Sequence, residues 1–208
     1  MAGLLANLRN TVIVSFVLAL IIIAGYFMHY GSADAIFWQA IFRWLHVLCG
    51  IMWIGLLYYF NFVQIPTMPK IPAELKPAVS KHIAPAALFW FRWAAAFTVL
   101  AGILVAALHG ADYAANVFTF GLAKPNAGGL QAGFALMSVG IYLAIIMFLN
   151  VWGVIWPNQK KALGIVPADD AAKASAARIA GMASRINTML SLPMLTSMAM
   201  YQTLFGGG

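Results

Sequence analysis

Residues 35–62 read AIFWQAIFRWLHVLCGIMWIGLLYYFNF, and Arg43 is the single formally charged side chain in that run. A helix rises about 1.5 Å per residue, so about 20 mostly apolar residues cross the hydrocarbon of a bilayer. The run is long enough to do so. Four more windows of similar character flank it, at 11–30, 86–109, 130–156 and 186–205. Across all 208 residues 63% are hydrophobic and 8% charged, against about 25% charged in a soluble domain. Water cannot be the main solvent of such a chain. The expectation is an all-α, polytopic transmembrane helix bundle of about five spans, forming one transmembrane domain over residues 1–208.

The connecting segments carry different signals. Pro66, Pro69, Pro72, Pro77 and Pro85 forbid one continuous helix between the second and third spans. Lys124-Pro125-Asn126-Ala127-Gly128-Gly129 reads as a turn before the fourth. Pro167 followed by Asp169 and Asp170 marks the start of a further helix, either outside the membrane or leading into the fifth span. At the N-terminus, Arg9, an apolar run and Ala33-Asp34-Ala35 mimic a signal peptide, but the run is long for one and reads as a retained first helix.

All five acids (Asp34, Glu74, Asp112, Asp169 and Asp170) lie outside the apolar runs, and the net charge is +7. With five spans, one side of the membrane receives Arg9, Lys70, Lys76, Lys81, Lys160, Lys161, Lys173, Arg178 and Arg185. The other side receives Lys124. The positive-inside rule then places the N-terminus in the cytoplasm and the C-terminus in the periplasm of a bacterial inner membrane. Basic segments beside apolar runs fit anionic headgroups rather than nucleic acid. The single Cys49 excludes an intrachain disulfide, a c-type haem attachment pair and a cysteine-based zinc site.

Polar side chains at membrane depth are functional candidates. On the second helix Arg43, His46, Gly50, Trp53, Leu57 and Phe60 recur at helical spacing and share one face, with Gln64 at its foot. A neutral imidazole there suits haem iron, Gly50 leaves room beside it, Trp53 offers an aromatic wall, and Arg43 could meet an anionic group such as a propionate. The residues alone leave a second reading open: His46 bonds a neighbouring helix, and Arg43 snorkels to the headgroups. For a second axial ligand, depth favours His109 or His29 over His82, which lies at the other end of the bundle. Met194, Met198 and Met200 offer thioethers but read as packing. Arg92, amid tryptophans, reads as interfacial, and Ser191 with Pro193 suggests a kink with hydroxyl rescue. No phosphate-cradling glycine loop, catalytic triad, carboxylate pair or acidic proton relay is present in the sequence.

The run Arg43-Trp44-Leu45-His46-Val47 with Gly50-Ile51-Met52-Trp53-Ile54-Gly55 resembles the membrane domain of bacterial membrane-bound urate oxidases (urate hydroxylases). So do Trp90-Phe91-Arg92-Trp93, Trp156-Pro157-Asn158-Gln159-Lys160, and Ser184-Arg185-Ile186-Asn187 with Ser191-Leu192-Pro193-Met194-Leu195. In that family the membrane part precedes a periplasmic cytochrome c domain, which implies electron transfer to the respiratory chain. This chain has no Cys-x-x-Cys-His and reads as a short form without that domain. The resemblance also implies histidines on the last helix where this chain has Ile186 and, near the helix end, Gln202.

Two functions follow as expectations. One is a membrane redox protein that binds a b-type haem through His46 and His109. It would pass electrons to a cytochrome c or a membrane oxidoreductase complex, with urate oxidation as its enzymatic extension. The other is a non-catalytic accessory or anchoring subunit of a larger membrane complex.

Overall fold

The structure, a computed structural model, describes residues 5–123 and 130–205; the turn expected at 124–129, with Lys124, lies outside the described residues. All regular structure among them is helical. The chain divides into two compact units, Met1–Trp38 and Gln39–Gly208.

In the first unit, α1 (Leu8–Tyr30) begins at Asn7, whose side-chain oxygen accepts from the backbone N–H groups of Arg9 and Asn10 at 3.0 and 3.4 Å. It ends at Gly31, whose φ of 71° is the left-handed value that closes many helices. Asp34, part of the segment that mimics a cleavage site, is a helix cap: its Oδ1 accepts from Phe37 N at 2.9 Å. Phe37 stacks on Tyr26 and meets Phe27 edge-on, which closes this hairpin.

From Asp34 the chain enters α2 (Ala35–Tyr58). It then continues through a π turn at Tyr59–Gln64 and short helical turns to Lys70. Pro66 therefore does not end the helix, and the break falls at residues 71–75. The next rod opens at Lys76, passes through a π turn at Val79–Ile83 and becomes α3 (Ala84–Leu108). A short α4 (Ala111–Phe118) follows. Then comes α5 (Leu130–Asn150), extended by a π turn at Val151–Ile155 and a last segment, Trp156–Ala162. Each π turn closes two residues before a proline: Pro66, Pro85 and Pro157. A proline ring clashes with the carbonyl four residues back and removes one N–H, and a widened turn relieves both.

The last element, α6 (Asp170–Leu204), is one helix of 35 residues capped by Asp169. The acidic segment after Pro167 is thus a lead-in, and Pro193 sits inside an unbroken helix. Among the described residues, four helices are long and apolar enough to cross a membrane: Leu8–His29, Ala35–Lys70, Lys76–Leu108 and Ala132–Ala162. α6, which covers the fifth expected span, is more polar. Its buried face carries Ser184, Asn187, Ser191 and Ser197 among alanines.

Those groups hold the second unit together. Asn187 donates to Met147 O at 3.0 Å and accepts from Asn150 at 2.8 Å, while Asn150 also donates to Ala183 O at 2.9 Å. Ser197 donates to Leu136 O. Tyr58 pairs with Ser191 at 2.9 Å, and Asn61 donates to Ser184 at 2.8 Å. In lipid no hydrophobic force draws helices together, so small residues and interhelical hydrogen bonds do that work. Around them pack Trp53, Leu57, Phe60, Phe91, Met147, Val151 and Met194. On α5, Ser138 and Tyr142 donate to Val117 O and Phe118 O, carbonyls at the end of α4 that have no partner in their own helix. Apolar side chains such as Val47, Ile51, Phe97, Ile103 and Leu149 are exposed, a surface suited to acyl chains. The chain is an all-α transmembrane bundle.

Candidate cofactor site

His46 projects from α2 towards α3, where its Nδ1 lies 2.8 Å from the carbonyl oxygen of Thr98. A carbonyl can only accept, so Nδ1 carries the proton and Nε2 keeps its lone pair. Thr98 itself is held by its hydroxyl, which donates to Ala94 O at 2.7 Å. The ring reaches that carbonyl because residue 102 is a glycine. A Cβ there would stand 3.0 Å from both Cε1 and Nδ1 of His46.

Beside this pair lies a cavity of about 560 Å³, within the size range of pockets for small organic ligands. Arg43, His46, Gly50 and Trp53 of α2 line it, and so does His109 at the end of α3. The five residues singled out from the sequence thus border one space. Trp53 is fully buried, and its indole N–H has no hydrogen-bond partner among the described residues. Arg43 is exposed and has no carboxylate partner among them. Gly50 plays a smaller part than its position suggested: a Cβ there would meet the Thr98 methyl at an ordinary 3.8 Å. It widens the cavity without being required for packing.

His109 caps α3. Its Nδ1 donates to Val105 O at 2.7 Å, and its ring stacks on Tyr113 with centroids 4.5 Å apart. It lies seven residues beyond Gly102, about 10 Å further along the helix. Both imidazoles therefore line the same wall with Nδ1 committed to a carbonyl and Nε2 open. Burial, then a hydrogen bond with the Tyr201 hydroxyl, pushes the Tyr113 phenol up, while the Arg43 charge pulls it the other way. Arg43, His109 and Tyr113 thus gather at one end of the space.

Other candidates fall elsewhere. His82 is exposed, outside the cavity lining, and His29 belongs to the first unit. Met194 and Met198, read as packing, line the cavity; Met200 does not. Of the two positions where the resemblance implies histidine, Gln202 lines the cavity and Ile186 is exposed. Thr98, Gly102, Tyr58 and Tyr113 went unread in the sequence. Gly102 carried a weak signal, a glycine one turn from a threonine in an alanine-rich helix.

Searches of curated proteins and of solved structures gave no match. Residues 113–206, a little under half of the chain, match the family model described as urate oxidase N-terminal. That stretch runs from Tyr113 through α5 and α6 and supplies the cavity's Met137, Met194, Met198 and Gln202. Over that stretch the chain is similar to the N-terminal part of the urate oxidase family.

Proposed function

We propose that the chain is a membrane redox protein that holds a b-type haem in the α2–α3–α5–α6 cavity, with His46 as an iron ligand. One observation carries the reading: the Nδ1–H bond to Thr98 O fixes the tautomer and leaves Nε2 as the free donor. That is the arrangement metal-binding histidines commonly adopt. No group of three or more His, Cys, Asp or Glu placed to hold a metal ion occurs among the described residues. A bare metal ion would lack ligands here, whereas haem brings four nitrogens and needs one or two from the protein.

The residues present fit that group. His46 would hold the iron, and His109 or a methionine thioether from Met194 or Met198 would be the second ligand. The unpaired guanidinium of Arg43 would meet a propionate, and the Trp53 N–H would find an acceptor in the bound molecule. When bound, haem supplies one-electron transfer. The protein orients the imidazole through Thr98, makes room for it through Gly102, and excludes water with the apolar walls Ile54, Val99, Ile141 and Ala144.

The match of residues 113–206 to the urate oxidase N-terminal family model supports a role related to urate oxidation. The charge distribution of the sequence supports a bacterial inner membrane, with the N-terminus in the cytoplasm and the C-terminus in the periplasm. There a cytochrome c or membrane oxidoreductase would be the electron partner. Gln202 at the cavity, where the resemblance implies histidine, favours electron transfer over urate oxidation by this chain alone.

The test is an absorption spectrum of the purified full chain, oxidised and reduced. A Soret band that shifts on reduction and is lost in His46→Ala supports the reading, and urate-dependent reduction would extend it to catalysis. Protein purified from haem-replete cells with no visible absorbance overturns it.

A further inference from the structure

Away from the cavity, a second cationic feature has no acidic counterpart. The Arg92 guanidinium carbon lies 3.9 Å from the centroid of the Trp156 ring and 5.3 Å from that of Phe89. Lys160, one turn beyond Trp156, puts its ammonium 5.7 Å from the same indole centroid. Two positive charges thus share one ring and lie within about 10 Å of each other, close enough to repel at membrane-interface dielectric. Neither has a carboxylate partner among the described residues, and the Arg92 guanidinium donates no hydrogen bond to them.

The arrangement is held from both helices. The Trp152 indole donates to Arg92 O at 3.2 Å, fixing the backbone of α3 against the π turn at Val151–Ile155. Trp152 also meets Trp93 edge-on at 5.4 Å. Arg92 is therefore placed by its main chain and oriented by Trp156, with its planar fork of donors left open. Stacking one face of a guanidinium leaves its edges free for a bidentate acceptor, the geometry in which arginine binds phosphate. Depth agrees. Arg92 lies sixteen residues before the end of α3 at Leu108, about 24 Å along the axis and so near the far edge of a hydrocarbon layer of about 30 Å. Tryptophan and lysine at that level are the usual interfacial pair.

We propose that Arg92, Trp156 and Lys160 form a binding site for a phosphate oxyanion at the membrane surface, supplied by an anionic phospholipid headgroup or by free phosphate. The anion lies against the open edge of the guanidinium and relieves the repulsion between the two cations. The indole keeps both oriented when the site is empty.

The experiment titrates the full chain in detergent with phosphatidylglycerol and with phosphatidylcholine of the same acyl chains. Adducts are counted by native mass spectrometry, with inorganic phosphate as competitor. Phosphatidylglycerol is expected to be retained over phosphatidylcholine. Arg92→Gln should lower that preference about tenfold, the size of one charge-assisted contact. Arg92→Lys should lose most of it, because an ammonium lacks the fork. Lys160→Gln should give a smaller loss, and Lys173→Gln, exposed and paired with Asp170, should change nothing. Displacement of the lipid by phosphate assigns the site to the free ion, and resistance assigns it to the headgroup. Equal retention of the two lipids by the native chain overturns the proposal. So does an unchanged preference in both Arg92→Gln and Lys160→Gln, each checked for native elution and helical content. Lipid retention is read without any cofactor, so the result stands apart from the haem proposal.

Discussion

The His46 imidazole lies against the bare backbone of Gly102, closer than any Cβ at that position would comfortably allow: Cε1 and Nδ1 would both be 3.0 Å away. The glycine sits on the same helix as the carbonyl that the ring bonds, one turn further on. Gly102→Ala should push the ring off Thr98 O and cost about 1 kcal/mol for the hydrogen bond. Cofactor content per chain should fall in that variant and hold in Gly181→Ala, where nothing lies within 4 Å. Absorbance relative to protein concentration reads both.

The histidines should separate by position. His46→Ala is expected to abolish the Soret band, and His109→Ala to alter its position or the reduction potential. His82→Ala should leave it as it is, because His82 is outside the cavity lining. Loss of the band in His82→Ala with survival in His46→Ala would reverse the ligand assignment.

Asn187 is fully buried and ties α6 to α5 through Met147 O and Asn150. Asn187→Leu should destabilise the bundle by about 2 kcal/mol, since it leaves the Asn150 amide short of an acceptor in an apolar setting. Thermal unfolding in detergent should show the loss, and the exposed Thr203→Ala should show none.

Gly140 of α5 lies close against α6. A Cβ there would stand 2.9 Å from Met198 Cγ and from Ser197 Oγ. Gly140→Ala should cost about 1–3 kcal/mol through displacement of the helix. Gly133→Ala would meet the Phe205 ring at 2.7 Å. It should cost less, because Phe205 follows the last turn of α6 and can swing away.

Much of this was legible in the sequence because lipid imposes simple rules. Long apolar runs had to be helices, and the Arg43–His46–Gly50–Trp53 stripe had to share a face; it lines the cavity. Contacts between helices were not legible. No period in the sequence pairs His46 with Thr98, or Asn187 with Met147 O, since each depends on where two separate helices touch. The prolines were only half readable. Their break between spans is real at residues 71–75, yet Pro66, Pro157 and Pro193 are carried within helical rods. The backbone accommodates three of the prolines by widening a turn that local composition does not announce. The polarity of α6 was visible residue by residue, but its meaning was not. Ser191 pairs with Tyr58 across the bundle as well as donating to Thr188 O in its own helix.

The π turn at Val151–Ile155 has a consequence for length. An overwide loop of helix houses a surplus residue, and so it sets the phase of everything beyond it. Rewinding that turn to 3.6 per revolution with every residue kept would turn the following segment by about 100°. The Trp156 indole would swing off the Arg92 guanidinium and Lys160 would go with it. In this chain, one widened turn decides which way a whole helix end faces.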